Sequence, residues 1–467
     1  MHDRRLELGK APIRALLIKY SAPAMIAMIV SSTYNLVGAI FVGQGAGTLA
    51  LAGLAIAFPI QMVILAVGMM IGIGSASVVS RALGAGDQRK AEQTAGTSFV
   101  VTGVLALLMA VFGWIFMDPM LRLFGATETI LPYASDYLEV ILLGNVFYAV
   151  SVSSNNIVRS EGAAQVAMRS MVIGAVVNFV LDPVFIFGFG MGIRGAAVGT
   201  VIANVCTFTY LCRYFMSGKS MLRIRRRDLL PHFPIMPEVF RIGGASFFQM
   251  ILGSIMVIPI NHMIGIHGQD MHFAIGGIAN RAMMFFFMPI FGLVQGLQPI
   301  IGFNYGARRL DRVIEAVRKA AIYATVMSTA AFLVLGVFTG PALRLFSPDP
   351  HLIDAGVPII LILILAMPFV GFQMVGGSLF QAIGKSRPAF VISLSRQALL
   401  LLPLVLILPR YFGLTGIWIS FPIADTISIM IAGVWVFAEL RALAREIPED
   451  AGGDALVDAA PSIQGEG

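Results

Sequence analysis

An amide side chain and a carboxyl four residues apart, set in an apolar run, are the groups of this chain best placed to do chemistry: Asn178-Phe-Val-Leu-Asp182-Pro183. Residues four apart on a helix share a face, so Asn178 and Asp182 would point the same way. A carboxylate in hydrocarbon costs at least ~2.5 kcal/mol, and withdrawal from water favours the protonated form of such a group. Asp182 is therefore suited to taking up and releasing a cation, a proton above all. The alternatives are that it caps a broken helix or pairs with a basic side chain. Pro183 has no N–H, so the helix is expected to distort beside the acid and leave carbonyls free for an ion.

Other polar groups inside apolar runs are more ambiguous. Asp425 and Asn204 fall at one depth and suggest a cavity-facing position, with interhelical hydrogen bonding as the alternative. Arg281 and Arg396 are either counter-ions or snorkelling side chains. Asp136 and Glu139 lie near a helix end, where water reaches them. His262, His267 and His272 recur every five residues, a spacing that does not share one helix face, and read as solvated loop residues rather than a metal site. Gly190, Gly192 and Gly195 spell a dinucleotide fingerprint, but the flanks are full membrane spans and no acid stands about twenty residues on, so a tight loop is expected. Most of the 26 methionines are expected to fill gaps in packing, although soft apolar surface also suits varied ligands.

The elements that must hold these groups are membrane helices. Of 467 residues 58% are hydrophobic and 12% charged, against roughly 25% charged in an ordinary soluble domain. Apolar runs predict twelve helices near 14–43, 48–80, 92–116, 131–158, 165–189 and 194–216, then 236–265, 273–303, 312–338, 351–381, 387–410 and 413–439. Opposite loops carry only Arg122, Arg194, Arg344 and Arg410, and Arg281 lies within helix eight. Apart from Arg396, within helix eleven, the rest of the 32 Lys and Arg fall in or beside alternate loops and at the two ends, which predicts that both termini face the cytoplasm. The basic N-terminus precedes an apolar span too long for a signal peptide and reads as leading into a retained first helix.

The net charge of +7 does not point to nucleic acid, because no folded basic domain remains to hold the basic residues. Cys206 and Cys212, if helical, are about 9 Å apart, beyond the ~7 Å that a disulfide bridges. Lys219, Arg223, Arg225, Arg226 and Arg227 lie in a mid-chain linker, residues 217–235, along the anionic leaflet, and read as a positive-inside anchor rather than a specific lipid-binding site. The acidic, Gly-rich residues 441–467 read as a disordered cytoplasmic tail.

The chain also repeats itself. An offset of 222 positions sets Lys19 on Arg241, Gly74 on Gly296, Gly84-Ala85 on Gly306-Ala307, and Pro119 to Phe124 (PMLRLF) on Pro341 to Phe346 (PALRLF). After one deletion, Asn204 falls on Asp425. Six spans per half is an even number, so the halves are parallel repeats about an axis normal to the membrane. The expected fold is all-α, twelve transmembrane helices in two six-helix bundles, residues 1–216 and 236–440. Alternating access is the commonest use of such repeats.

Several phrases together resemble one family, the multidrug and toxic compound extrusion transporters, and within it the branch of DNA-damage-inducible and staphylococcal-type exporters. They are Pro23, Tyr34-Asn35-Leu-Val with Ile40-Phe-Val-Gly43, Arg81-Ala-Leu-Gly-Ala85, NFVLDPVFIF from Asn178 to Phe187, and Gln298-Pro299-Ile-Ile-Gly-Phe-Asn-Tyr-Gly-Ala307. The resemblance spans nearly the whole chain. It implies an inner-membrane antiporter that exports cationic or amphipathic compounds in exchange for protons or sodium, with no other cofactor. It also implies a first-lobe cavity whose matching positions here are Tyr34, Asn155, Asn178, Asp182 and Thr200, with Asn35 in the same phrase and Pro23 at a helix bend. Similar proteins usually carry an acid after the Tyr-Asn phrase, where this chain has Gly38. That departure makes a two-carboxylate sodium site less expected than proton coupling.

The leading expectation is a monomeric, proton-coupled multidrug exporter in contact with membrane lipids. A flippase for a lipid-linked saccharide is the alternative, but it needs several cations in its central cavity, where only Arg281 and Arg396 are candidates. No nucleophile, base or metal constellation suggests an enzyme.

Overall fold

A computed structural model describes residues 2–346 and 349–447, except for the side chains at positions 2, 3, 35, 36, 226, 270, 345 and 346. Residues 448–467, the greater part of the expected acidic tail, lie outside the described residues; residues 441–445 end the last helix.

The amino-terminal half comprises α1 (His2–Lys10), α2 (Ile13–Ala46), α3 (Thr48–Gly84), α4 (Gln88–Ile115), α5 (Met117–Leu123), α6 (Leu131–Ser160), α7 (Ala164–Pro183) and α8 (Gly192–Met216). The carboxy-terminal half comprises α9 (Met236–Ile255), α10 (Val257–His267), α11 (Asp270–Gly306), α12 (Leu310–Phe346), α13 (Pro350–Leu363), α14 (Met367–Ile383), α15 (Ser386–Leu394), α16 (Leu402–Ile407) and α17 (Pro409–Arg445). Eleven of these helices or helix runs are long and apolar enough to cross a membrane, and α13 with α14, bent by 44°, makes a twelfth span. That span was expected as one helix near 351–381. Pro368, in the first turn of α14, cannot donate to the carbonyl four residues back, and this breaks the run at residues 364–366.

Two features were not expected. The first is α1, a short helix lying across the face that carries the Lys- and Arg-rich turns, here called the basic face. Its Leu8 is fully buried, and Leu8 and Ala11 carbonyls accept from Arg312 at 3.3 and 2.6 Å. The second is the order of the linker. Ser220, Met221 and Leu222 are buried, and Glu161 accepts from the Ser220 hydroxyl and the Met221 N–H, each at 2.7 Å. Burial pushes the Glu161 carboxyl above the usual carboxylate range, although hydrogen bonds from Tyr214, Ser220 and Met221 oppose the shift.

Each half has its own core, around Ala57, Tyr137 and Ala197 in the first and Ile275, Leu335 and Trp418 in the second. A further core, including Leu17, Leu83, Leu297 and Phe380, joins them near the basic face. There the duplication becomes geometry. A Cβ at Gly84 would sit 2.8 Å from the carbonyl carbon of Phe303, and one at its repeat counterpart Gly306 would sit 2.8 Å from that of Arg81, the counterpart of Phe303. Such reciprocal contacts are what a two-fold relation between parallel repeats requires. Ser21 donates to the Leu293 carbonyl at 3.2 Å, Ser77 to that of Gln381 at 2.5 Å, and Arg81 to Glu238 at 2.9 Å. These joints all lie in the basic-face portions of the spans.

Candidate functional site

Asp182 is the penultimate residue of α7, which ends at Pro183, and the five residues after that, Val184–Gly188, wind as a π-helix. The helix widens rather than breaks. Pro183 supplies no N–H to the Phe179 carbonyl, and a π turn is a common way for a helix to absorb such a defect beside a functional group. The burial pattern of α7 is one-sided. Phe179 and Val180 are more than half exposed, whereas Asn178 and Asp182 are 6% and 3% exposed. The acid therefore points into the protein and away from the surrounding acyl phase.

Its immediate partners are neutral. Asn178 Nδ2 donates to Asp182 Oδ1 at 2.9 Å and also lies 3.2 Å from Thr200 Oγ1 on α8. No Lys or Arg among the described residues forms an ion pair with Asp182. Two glycines give the carboxyl its space. A Cβ at Gly199 would lie 2.5 Å from Asp182 Oδ1, so any side chain there would displace the acid. A Cβ at Gly38 of α2 would lie 3.6 Å from Oδ2, in ordinary contact. The helix-one position at which similar proteins usually carry an acid therefore faces Asp182 directly.

Tyr34 lies one turn before Gly38 on α2 and is half-buried. The side chain of Asn35 lies outside the described residues. Asn204 follows Thr200 by one turn on α8 and is half-buried. Asn155 is not brought to this cluster. It donates to the Ala167 carbonyl at 3.0 Å and to Ser170 Oγ at 2.7 Å, and Ser170 is about 18 Å along α7 from Asp182. Pro23 lies within an uninterrupted α2. The residues that make the room, Gly38 and Gly199, carry no polar signal. Gly38 drew notice only as a departure from the family phrase, and Gly199 gains a role only from its place beside Asp182 in space.

The second half is arranged differently. Asp425 on α17 is 3% exposed and paired with Arg396, whose Nη2 lies 3.4 Å from Oδ2. Ser428, one turn below Asp425, receives a hydrogen bond from Gln373 at 2.5 Å and lies 3.0 Å from Ser395 Oγ. Asp425 and Arg396 are therefore partners to each other, and the first alternative for Arg396, a counter-ion, is the observed one. Arg281 is exposed on α11. Asp136 and Glu139 both face Arg194, at 3.9 and 3.1 Å. His272 accepts from the Gln269 N–H at the start of α11, and no cluster of three or more potential metal ligands occurs among the described residues.

The MatE family model matches residues 23–184 and 245–407, one stretch in each half. Multidrug export protein MepA of Staphylococcus haemolyticus is 27% identical over 424 residues, 90% of this chain and 93% of that protein. Its namesake from Staphylococcus aureus is 27% identical over 443 residues, 94% of this chain and 96% of that one. Among solved structures, the MATE multidrug transporter DinF-BH is 40% identical, with a TM-score of 0.87 over 93% of this chain and 97% of that one. A MOP superfamily transporter from Pyrococcus furiosus is 26% identical, with a TM-score of 0.89 over 94% and 98%.

Proposed function

We propose that this chain, which belongs to the MatE family, is a multidrug exporter of a bacterial inner membrane that exchanges protons for cationic or amphipathic small molecules. The observation that carries the reading is the isolation of Asp182. It is buried, accepts a hydrogen bond from Asn178, whose amide also lies against Thr200, and is faced by Gly38 where a second acid would otherwise stand. A sodium ion is held by several oxygen ligands, and charge on those ligands raises affinity, by analogy with other hard cations. One carboxylate beside a glycine suits a proton better. Protonation would remove a buried charge and so change the relative stability of two conformations, which is how a bound cation can bias a conformational equilibrium.

In this reading Tyr34, Asn204 and Thr200 line the first-half cavity, and the basic face is cytoplasmic. Closure there by Ser21, Ser77 and Arg81 against the second half corresponds to an outward-open state, and export proceeds as the halves rock about the Gly84–Gly306 contact. The flippase reading is disfavoured because Arg396 is engaged by Asp425, so the two candidate cations do not form a free cluster.

The test uses purified protein in liposomes, with a fluorescent organic cation followed under an imposed pH gradient or an imposed sodium gradient. Wild type is expected to respond to the pH gradient alone, and Asp182→Asn to neither. Transport driven equally by sodium, or undiminished in Asp182→Asn, would contradict the proposal.

A further inference from the structure

A second polar site lies at the basic face, remote from Asp182. A cavity of about 790 Å³ opens between α1, the start of α2, the start of α7 and the end of α8. Among the described residues its lining includes the cations Arg4, Lys19, Arg169 and Lys219, with one carboxylate, Glu7, which is paired with Lys19. Arg169 and Lys219 are exposed and form no ion pair among the described residues. Like charges gathered in a concave site repel one another, and a bound anion relieves that repulsion.

Two further observations point to the same kind of ligand. Helix α7 begins at Ala164 without a capping side chain, and although the Val166 N–H donates to the Ala163 carbonyl, Ala164 and Gln165 on the lining bring the first N–H groups and the positive end of the helix dipole to the cavity. Tyr20, also on the lining, is 1% exposed, and its hydroxyl has no hydrogen-bond partner among the described residues. A buried hydroxyl left without a partner is uncommon, because desolvation goes uncompensated. The opposite wall is held in place. Arg4 donates to the Tyr214 hydroxyl at 2.9 Å, and Tyr214 donates to Glu161 at 2.5 Å, leaving the other guanidinium N–H groups of Arg4 available.

We propose that this cavity binds a phosphate-bearing anion, with Arg4, Arg169 and Lys219 contacting its oxygens, the α7 N-terminus adding backbone donors, and Tyr20 completing the floor. Several donors converging from different directions suit the tetrahedral oxygens of phosphate. The volume far exceeds one phosphate group and leaves room for an organic substituent. The cavity sits where spans end at the basic face, so both an anionic phospholipid headgroup and a soluble phosphate can reach it.

The experiment measures the melting temperature of the full-length protein in detergent at constant ionic strength. It is titrated with short-chain phosphatidylglycerol, with short-chain phosphatidylcholine, and with inorganic phosphate. A saturable rise is expected with phosphatidylglycerol and little or none with phosphatidylcholine. An equal rise with inorganic phosphate identifies a soluble ligand, and a rise with phosphatidylglycerol alone identifies the lipid; both support the site. Arg169→Gln with Lys219→Gln is expected to weaken the response about 25-fold, or about fivefold per cation removed. Tyr20→Phe is expected to weaken it without lowering the melting temperature of the ligand-free protein. Absence of saturation with every probe, or undiminished affinity in either variant, overturns the proposal.

Discussion

Gly243 and Gly244 are adjacent in α9, yet the structure assigns them opposite tolerances. A Cβ at Gly243 would sit 2.6 Å from the Met70 carbonyl carbon and 3.0 Å from Met70 Cα, whereas one at Gly244 meets nothing within 4 Å. Ordinary contact begins near 3.4 Å, so Gly243→Ala must move α9 and α3 apart by roughly 1 Å, given that packed helices resist overpacking. Overpacking of this kind costs about 1–3 kcal/mol, equivalent to a population shift of roughly 5- to 150-fold. Met70 and Gly243 belong to opposite halves, so on the proposed rocking of the halves the cost falls only on the conformation in which the basic face is closed. The assay places a cysteine at Ser77, buried against the Gln381 carbonyl, in a background with Cys206 and Cys212 replaced by serine. Maleimide labelling from the basic face is then timed. Gly243→Ala should label several-fold faster than its parent, and Gly244→Ala at the parental rate. Equal rates in the two alanine variants would refute the idea that this close approach holds the face shut.

Three further outcomes are expected. Gly38→Asp, whose Cβ has room beside Asp182 Oδ2, should create a pair of carboxylates and confer transport driven by a sodium gradient, read in the liposome assay. Glu161 lies outside the spans and its carboxyl is raised by burial, so its protonated form is favoured in the folded protein. Its contribution to stability is complete below the ordinary glutamate value and is lost as pH rises through the folded value. The melting temperature of wild type should therefore fall with rising pH above about 4.3 relative to Glu161→Gln, in which an amide can keep the contacts to Tyr214, Ser220 and Met221. Asp425→Asn should lower the melting temperature more than the double variant Asp425→Asn with Arg396→Gln, because a buried partner left charged is worse than none.

Much of the architecture was legible in the chain because membrane helices obey a strict rule: backbone groups in hydrocarbon must be satisfied within the segment, so each span is a long apolar run. The parallel repeat was legible for a related reason. Gly84 and Gly306 are each pressed against the other half's backbone, a position that only glycine fits, and such positions leave a matching pair of residues in a sequence. What escaped notice lay outside this rule. Helix α1 is short and polar, and it is held by Asn304 and Arg312 from the other half, some 300 positions along the chain. The linker was expected as a basic, positive-inside segment along the leaflet; that Glu161 and Gln88 also pin it through its backbone is something no local pattern reports.

At the candidate site, the sequence alone determined that Asp182 and Asn178 share a helix face, since that follows from helix pitch, and that Pro183 would disturb the turn beside them. It could not choose between a free acid and one locked to a cation, because ion pairing depends on which helices become neighbours. Packing decided differently in the two halves. It set Asp182 against Gly38, Gly199 and Asn178, with no Lys or Arg paired to it among the described residues, and it set Asp425 against Arg396. It also moved Asn155 to the far end of α7. Periodicity fixes the direction of a side chain on its own helix, whereas what that side chain meets belongs to the tertiary structure.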